Sequence, residues 1–264
     1  MSADRGRRGS ADPSAAPVLA GAEPFSADGG RTGVLVLHGF TGSPQSMRPW
    51  AQYLAGAGFT VRLPLLPGHG TSVADMARTG WTDWYGAASA TFDELRQTCD
   101  EVFVMGLSMG ATLALRLAEL RPDVAGLVIV NASVVSQDRR LTLLPVLKHV
   151  VPSLPGIGSD IKRAGVTELA YDRVPLRALA SLRKAWTEVR RDLHHIDCPV
   201  LHFRSRTDHV VEPRSGELMR SGIRNVQEVV LEESYHVATL DNDASTISTG
   251  SVDFLRQYSR STAG

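Results

Sequence analysis

Val102-Phe103-Val104-Met105-Gly106-Leu107-Ser108-Met109-Gly110-Ala111 is an apolar run that ends in Gly-x-Ser-x-Gly. It passes at once into Thr112-Leu113-Ala114-Leu115-Arg116-Leu117-Ala118-Glu119-Leu120, a stretch of strong helix formers. The order is buried strand, sharp turn, helix, with a serine at the apex. Such a turn forces Ser108 into a backbone conformation that side chains seldom adopt. Gly106 and Gly110 leave it room because they carry no Cβ.

A strand–Gly-x-Ser-x-Gly–helix unit is the nucleophile elbow of the α/β-hydrolase fold. The upstream sequence supports that fold. Gly33 to Phe40 forms a nearly continuous apolar strand, as expected of a central strand covered on both faces. Ser43 and Pro44 open a predicted helix with Met47, Trp50, Ala51 and Leu54 on its apolar face. Further strands are predicted at Phe59–Pro64 and Val124–Val130, and a helix from Trp81 to Thr98. This alternation calls for a mostly parallel sheet flanked by helices.

The rhythm breaks after Asn131-Ala132-Ser133. From Val134 to His195 there is no strand–helix alternation, and a stretch this long between two sheet strands is usually functional. It reads as a cap inserted after the sixth strand. Strands resume at Pro199–Ser205 and Val226–Leu231, and a helix from Ser245 to Tyr258 closes the chain. The predicted organisation is a disordered segment (1–17), a core (18–133), a cap (134–195) and the rest of the core (196–264).

At 264 residues the chain can bury a full core. Its 28 basic and 28 acidic residues are mixed along the sequence, which argues against nucleic acid as a partner. The cysteines, Cys99 and Cys198, have no metal or redox spacing. No His/Cys ligand cluster and no phosphate-binding glycine loop suggests a metal or an organic cofactor. The start of the chain has no apolar signal core, so the expected location is the cytoplasm.

A serine hydroxyl needs a base within reach, and the base needs an orienting carboxylate. In this fold their chain order is serine, acid, histidine. Asp208, just past the strand ending at Ser205, is the acid candidate. His236, a short loop past Leu231, is the base candidate. His38 and His69, in glycine-bounded turns, read as structural. The developing oxyanion needs two N–H donors. Met109, after the nucleophile, offers one, and Phe40, in the loop after the first buried strand, offers the other.

The chain resembles the bacterial monoacylglycerol lipases and related thermostable carboxylesterases of bacilli, within the α/β-hydrolase superfamily. The resemblance lies in Gly21–Phe25, His38–Met47, Gly106–Gly110, Leu154–Lys162 with Glu168–Tyr171, and Ser234–Asp241. It implies the same triad and oxyanion donors, and a cap with a hydrophobic acyl tunnel and a polar glycerol site. Ile157 and Glu168 match positions that contact glycerol. Ala111 replaces a second glycine seen after the elbow in many relatives. The implied substrate is a small lipid ester, with monoacylglycerol first and short acyl esters second. The apolar cap residues (Leu141, Leu143, Leu144, Val146, Leu147, Val150, Val151 and Leu154) would shield the acyl chain and could touch a membrane or micelle. A third class, ligand receptors that keep a triad but hardly turn over, fits less well, because both oxyanion loops are present.

Overall fold

The computed structural model describes residues 16–136, 138 and 142–260. The disorder expected for residues 1–17 falls outside this range, apart from Ala16 and Pro17, and Leu141 also falls outside it. The elements begin with β1 (Phe25–Ala27), β2 (Thr32–Leu37), α1 (Arg48–Gly56), β3 (Thr60–Leu63), α2 (Val73–Met76) and α3 (Trp81–Thr98). Next come β4 (Glu101–Leu107), α4 (Met109–Leu120), β5 (Val124–Val130), α5 (Leu144–Val150), β6 (Ser153–Pro155) and β7 (Arg173–Pro175). The chain continues through α6 (Leu176–Asp192), β8 (Val200–Ser205), α7 (Pro213–Gly222), β9 (Val226–Leu231) and α8 (Ala244–Tyr258).

Among the described residues, seven strands form one sheet in the order β1-β3-β2-β4-β5-β8-β9. Among the described residues of this sheet only β1 runs antiparallel, against β3, and the other pairings are parallel; β6 and β7 form a separate antiparallel pair. The central strands are apolar throughout because both faces are covered, and their period of two divides the side chains between two cores. Leu35, Leu37, Val102, Val104, Leu127 and Ile129 face α3, α4 and α6. Val34, Val36, Phe103, Met105, Val128 and Val130 face α1 and α8.

Four expectations are corrected. Residues 18–31, where Gly21, Pro24 and Asp28-Gly29-Gly30 point to an irregular lead-in, contain strand β1, which pairs with β3 at the sheet edge. The helix expected from Pro44 starts at Arg48 after a 3-10 turn over Pro44–Ser46, and the Ser43 hydroxyl donates to the Leu169 carbonyl (2.9 Å) instead of capping it. The insertion follows the fifth strand of the described sheet, not the sixth, because the lead-in supplies a single strand. Inside the insertion, α6 packs on the sheet-covering face: Ala178, Leu182, Trp186 and Val189 share a core with Leu113 and Leu117 of α4. It is the crossover helix between β5 and β8. Among the described residues, no helix is long and apolar enough to cross a membrane.

Candidate active site

Parallel strands deliver their loops to one edge of the sheet. That edge receives His38–Gly42 after β2, Ser108 after β4, Asn131 after β5, Asp208 after β8 and His236 after β9. Ser108 holds φ 54 and ψ −116, a strained conformation for a residue with a side chain. The turn around it is tight. A Cβ on Gly106 would lie 2.6 Å from Ala111 N and still nearer the Gly110 carbonyl. Ala111 itself is fully buried and packs in the core, so the methyl at this position is accommodated.

The loop after β2 passes beside the serine: a Cβ on Gly39 would meet Ser108 Cβ at 3.6 Å. Buried aromatics fix this loop. The Phe40 ring stands edge-on to Trp84 (5.7 Å) and His69 (6.5 Å), and His69 stands edge-on to His38 (5.0 Å). His38 Nε2 accepts from Leu66 N (3.1 Å) and its Nδ1 is 3.0 Å from Gly39 O. Burial pushes His38 down to about 4 and His69 to about 3, so both are neutral near pH 7 and hold structure. Met109, the first residue of α4, is buried, and its N–H belongs to the first turn, where no intrahelical acceptor exists.

Asp208 and His236 meet. His236 Nδ1 lies 2.9 Å from Asp208 Oδ2, and Asp208 Oδ1 accepts from Val210 N (2.8 Å) and Val211 N (2.7 Å). Burial raises the Asp208 carboxyl, but the His236 charge and these hydrogen bonds outweigh it and hold it below the usual range. Burial lowers His236, and Asp208, Glu168 and Asp160 outweigh that and raise it. The carboxylate accepts from Nδ1–H, which leaves the Nε2 lone pair free to take a proton. Behind Asp208 is a small cavity of about 40 Å³ lined by residues including Asn131, His202, Ser205 and Glu212.

Glu168 of the insertion lies against the loop after β2, where a Cβ on Gly42 would come within 2.7 Å of its Oε1. Burial pushes its carboxyl up, against the pull of His236 and a Ser46 hydrogen bond. Ile157, just past β6, is 68 % exposed. Among the described residues, no group of three or more His, Cys, Asp or Glu side chains could hold a metal ion.

Sequence reading missed three anchoring residues. Asn131 (φ 45) donates to His236 O (2.8 Å) and Ser205 Oγ (3.0 Å) and accepts from Ser205 N (2.8 Å), joining the ends of β5, β8 and the histidine loop. Its only sequence signal is an asparagine immediately after a buried strand, since asparagine tolerates positive φ. Asp160 and Asp241 bind the histidine loop from two sides and have no local signal.

A family model described as serine aminopeptidase, S33, matches residues 30–243. The chain is 43% identical to a thermostable monoacylglycerol lipase of Bacillus sp. (strain H-257), over 92% of this chain and 97% of that protein. It is 25% identical to a carboxylesterase of Bacillus subtilis (strain 168), over 89% of this chain and 96% of that one. A solved structure from work on LipS and LipT, two metagenome-derived lipolytic enzymes, superposes with a TM-score of 0.89 at 45% identity, covering 91% of this chain and 100% of the other. The Paleococcus ferrophilus monoacylglycerol lipase shares the fold, with a TM-score of 0.78 at 21% identity, over 89% of this chain and 98% of its own.

Proposed function

The chain belongs to the serine hydrolase family described as serine aminopeptidase, S33, and from that premise we propose that it cleaves monoacylglycerols to fatty acid and glycerol through an acyl-enzyme on Ser108. The observation that carries this reading is the Asp208–His236 hydrogen bond at the strand edge that also presents Ser108 on its strained elbow. The monoacylglycerol lipase relative, aligned over nearly the whole of both chains, supports the substrate class.

In this mechanism Ser108 Oγ attacks the ester carbonyl while His236 Nε2 takes its proton. Asp208 holds the imidazole in the Nδ1–H tautomer and offsets the charge it gains. The N–H groups of Phe40 and Met109 stabilise the oxyanion. Collapse breaks the bond to the glyceryl oxygen, which leaves with the proton from His236. Water then gives its proton to His236 and attacks the acyl carbon, and Ser108 recovers its proton as the fatty acid departs. Glu168, half-buried beside the loop after β2, receives a glycerol hydroxyl, and Ile157 covers the glyceryl group from the rim. The part of the insertion before α6 acts as the cap. Leu143, Val146, Val150 and Leu154 are exposed on or beside α5, and this apolar face makes transient contact with a membrane or micelle.

A kcat/KM series on monoacylglycerols and p-nitrophenyl esters of matched chains tests the substrate. Preference for glyceryl esters is expected, and preference for short p-nitrophenyl esters would make the protein a general carboxylesterase. Ser108→Ala must abolish turnover in a folded protein. Glu168→Ala should raise KM for monoacylglycerol alone, and equal effects on alkyl esters would remove its glycerol role. Val146→Ser with Val150→Ser should slow hydrolysis of vesicle-borne substrate and spare a monomeric short ester. Equal rates on vesicles would exclude the surface contact.

A further inference from the structure

The histidine loop has few hydrogen bonds of its own, because it leaves β9 and makes no regular element until the 3-10 turn at Ala238. Its geometry is set from outside. Tyr235 O accepts from Ser205 Oγ (2.8 Å) and His236 O from Asn131 Nδ2 (2.8 Å), both from the core. The amide side is held differently. Tyr235 N donates to Asp241 Oδ2 (2.8 Å), His236 N to Asp160 Oδ2 (3.1 Å) and Val237 N to Asp160 O (3.1 Å). Two carboxylates thus exchange across the boundary between core and insertion. Asp241 of the core also accepts from Lys162 N (2.7 Å) and Arg163 N (2.9 Å) of the insertion. Asp160 of the insertion also accepts from His209 N (3.2 Å) and pairs with His209 Nδ1 (2.8 Å). His209 in turn stands edge-on to Tyr235 at 4.7 Å. The Asp160 side chain is only 10% exposed, so these charge-assisted bonds act in a poorly hydrated place.

We propose that Asp160 is a positioning residue for His236, contributed by the insertion: its carboxylate fixes the backbone of the histidine and, through His209, the loop that carries Asp208. This rests on the reading of His236 as the base. Asp160 touches neither the serine nor the reacting atoms. It acts by setting where the imidazole stands and by placing a further negative charge near it. The ionisable groups facing His236 are Asp208 from the loop after β8, and Glu168 and Asp160 from the insertion. Removing one negative charge makes the imidazolium less stable, so its midpoint must fall.

The experiment is Asp160→Asn in the full chain, with two readouts. The first is kcat and KM on p-nitrophenyl butyrate. A tenfold loss is expected in kcat with KM within twofold, because the acyl contacts are untouched while the base is displaced. The second is the titration of the His236 imidazole by NMR in the resting enzyme, where the midpoint is expected at lower pH than in the parent. An unchanged midpoint overturns the proposal, whether or not activity or Tm falls, since a merely structural loop anchor would move only those. If Asp160→Asn does not fold, Asp160→Ser, which keeps an acceptor without the charge, is read in the same way. The imidazole titration needs no turnover. Activity surviving in Ser108→Ala would therefore sink the acyl-enzyme mechanism on Ser108 and leave the test of Asp160 intact.

Discussion

Gly110→Ala is the sharpest test of how the site is assembled. Gly110 is the second residue of α4, and a Cβ there would lie 2.5 Å from Leu37 C and 2.7 Å from His38 O, with Leu37 O closer still. All three atoms are backbone, so no rotamer change relieves the overlap. Restoring ordinary contact requires α4 and the end of β2 to separate by about 1 Å. Overpacking of this kind costs about 1–3 kcal/mol, which lowers Tm by roughly 5 °C in a chain of this size. The catalytic effect should be larger. Phe40 lies on the β2 side of the widened gap and Met109 on the α4 side, so the two proposed oxyanion donors move apart. A misplacement of about 1 Å costs about 10²-fold in rate. The assays are kcat/KM on p-nitrophenyl butyrate, the labelling rate of Ser108 by a fluorophosphonate, and thermal unfolding. A variant with lowered Tm but kcat/KM within twofold of the parent would refute the claim that this contact sets the oxyanion geometry. An unchanged Tm would refute the packing argument itself.

Asp208→Asn should lower kcat by about 10⁴-fold, since an amide no longer holds the Nδ1–H tautomer. Because His236 must be neutral to act as base, kcat/KM rises with pH through its pKa. In the parent the acid limb should lie above the ordinary histidine value, and in the variant at lower pH, which a pH–rate profile on residual activity reads. Gly86, exposed in α3 with nothing within 4 Å of a built Cβ, should accept alanine. A gain of about 0.5–1 kcal/mol, seen as roughly 2 °C in Tm with unchanged kcat, is expected, and a loss of stability would count against the helix assignment. Burial pushes Glu119, at the end of α4, up to about 8 against the pull of Arg116. Between the unfolded value and 8 the folded state holds a proton that the unfolded chain has lost, so stability falls as pH rises. Glu119→Gln removes that loss, and its Tm advantage should widen by roughly 5 °C from pH 5 to pH 8; a pH-independent difference would contradict it.

The elbow is legible because its demands are local. A strand, two glycines around a serine and a run of helix formers leave no other economical backbone, and the structure places Ser108 at φ 54 between β4 and α4. The helix from Trp81 to Thr98 is equally plain from its spacing. Strand β1 is not, since three half-exposed residues carry no periodicity and the strand exists only because β3 offers an edge. Asp208 and His236 can be chosen from their places after strand ends, but the bond between them spans 28 positions. The anchors Asn131 and Asp160 reach the histidine over longer separations still, 105 and 76 positions, and Asp241, six positions from Tyr235, reaches back 79 and 78 positions to the amides of Lys162 and Arg163. A carboxylate that binds backbone amides of a distant loop leaves no mark in its own neighbourhood of sequence.

The insertion divides by what holds it. Its last part, α6, is core: Leu182, Trp186 and Val189 are buried with α4 beneath them, so moving the helix would open the main packing face. Its middle part is tied to the site on both flanks. Asp160, with the backbone of Lys162 and Arg163, meets the histidine loop, while Gln45 binds Thr167 O (3.2 Å) and Leu169 N (2.9 Å), and Tyr171 N donates to Thr41 O (3.0 Å). Glu168 therefore stands on a wall braced by the loop after β2, the one proposed to bind the oxyanion. The first part is different. In α5 only Leu144 is buried, and Val146 and Val150 are 69% and 73% exposed. On the proposed reading, the glyceryl end of a substrate meets the braced wall, where a polar group is already placed and little ordering remains to oppose binding. The acyl end meets the thinly packed segment, where a small apolar interface can rearrange at low cost. Recognition of the head group and tolerance of chain length then come from two parts of one insertion, and a substitution in either should leave the other's selectivity unchanged.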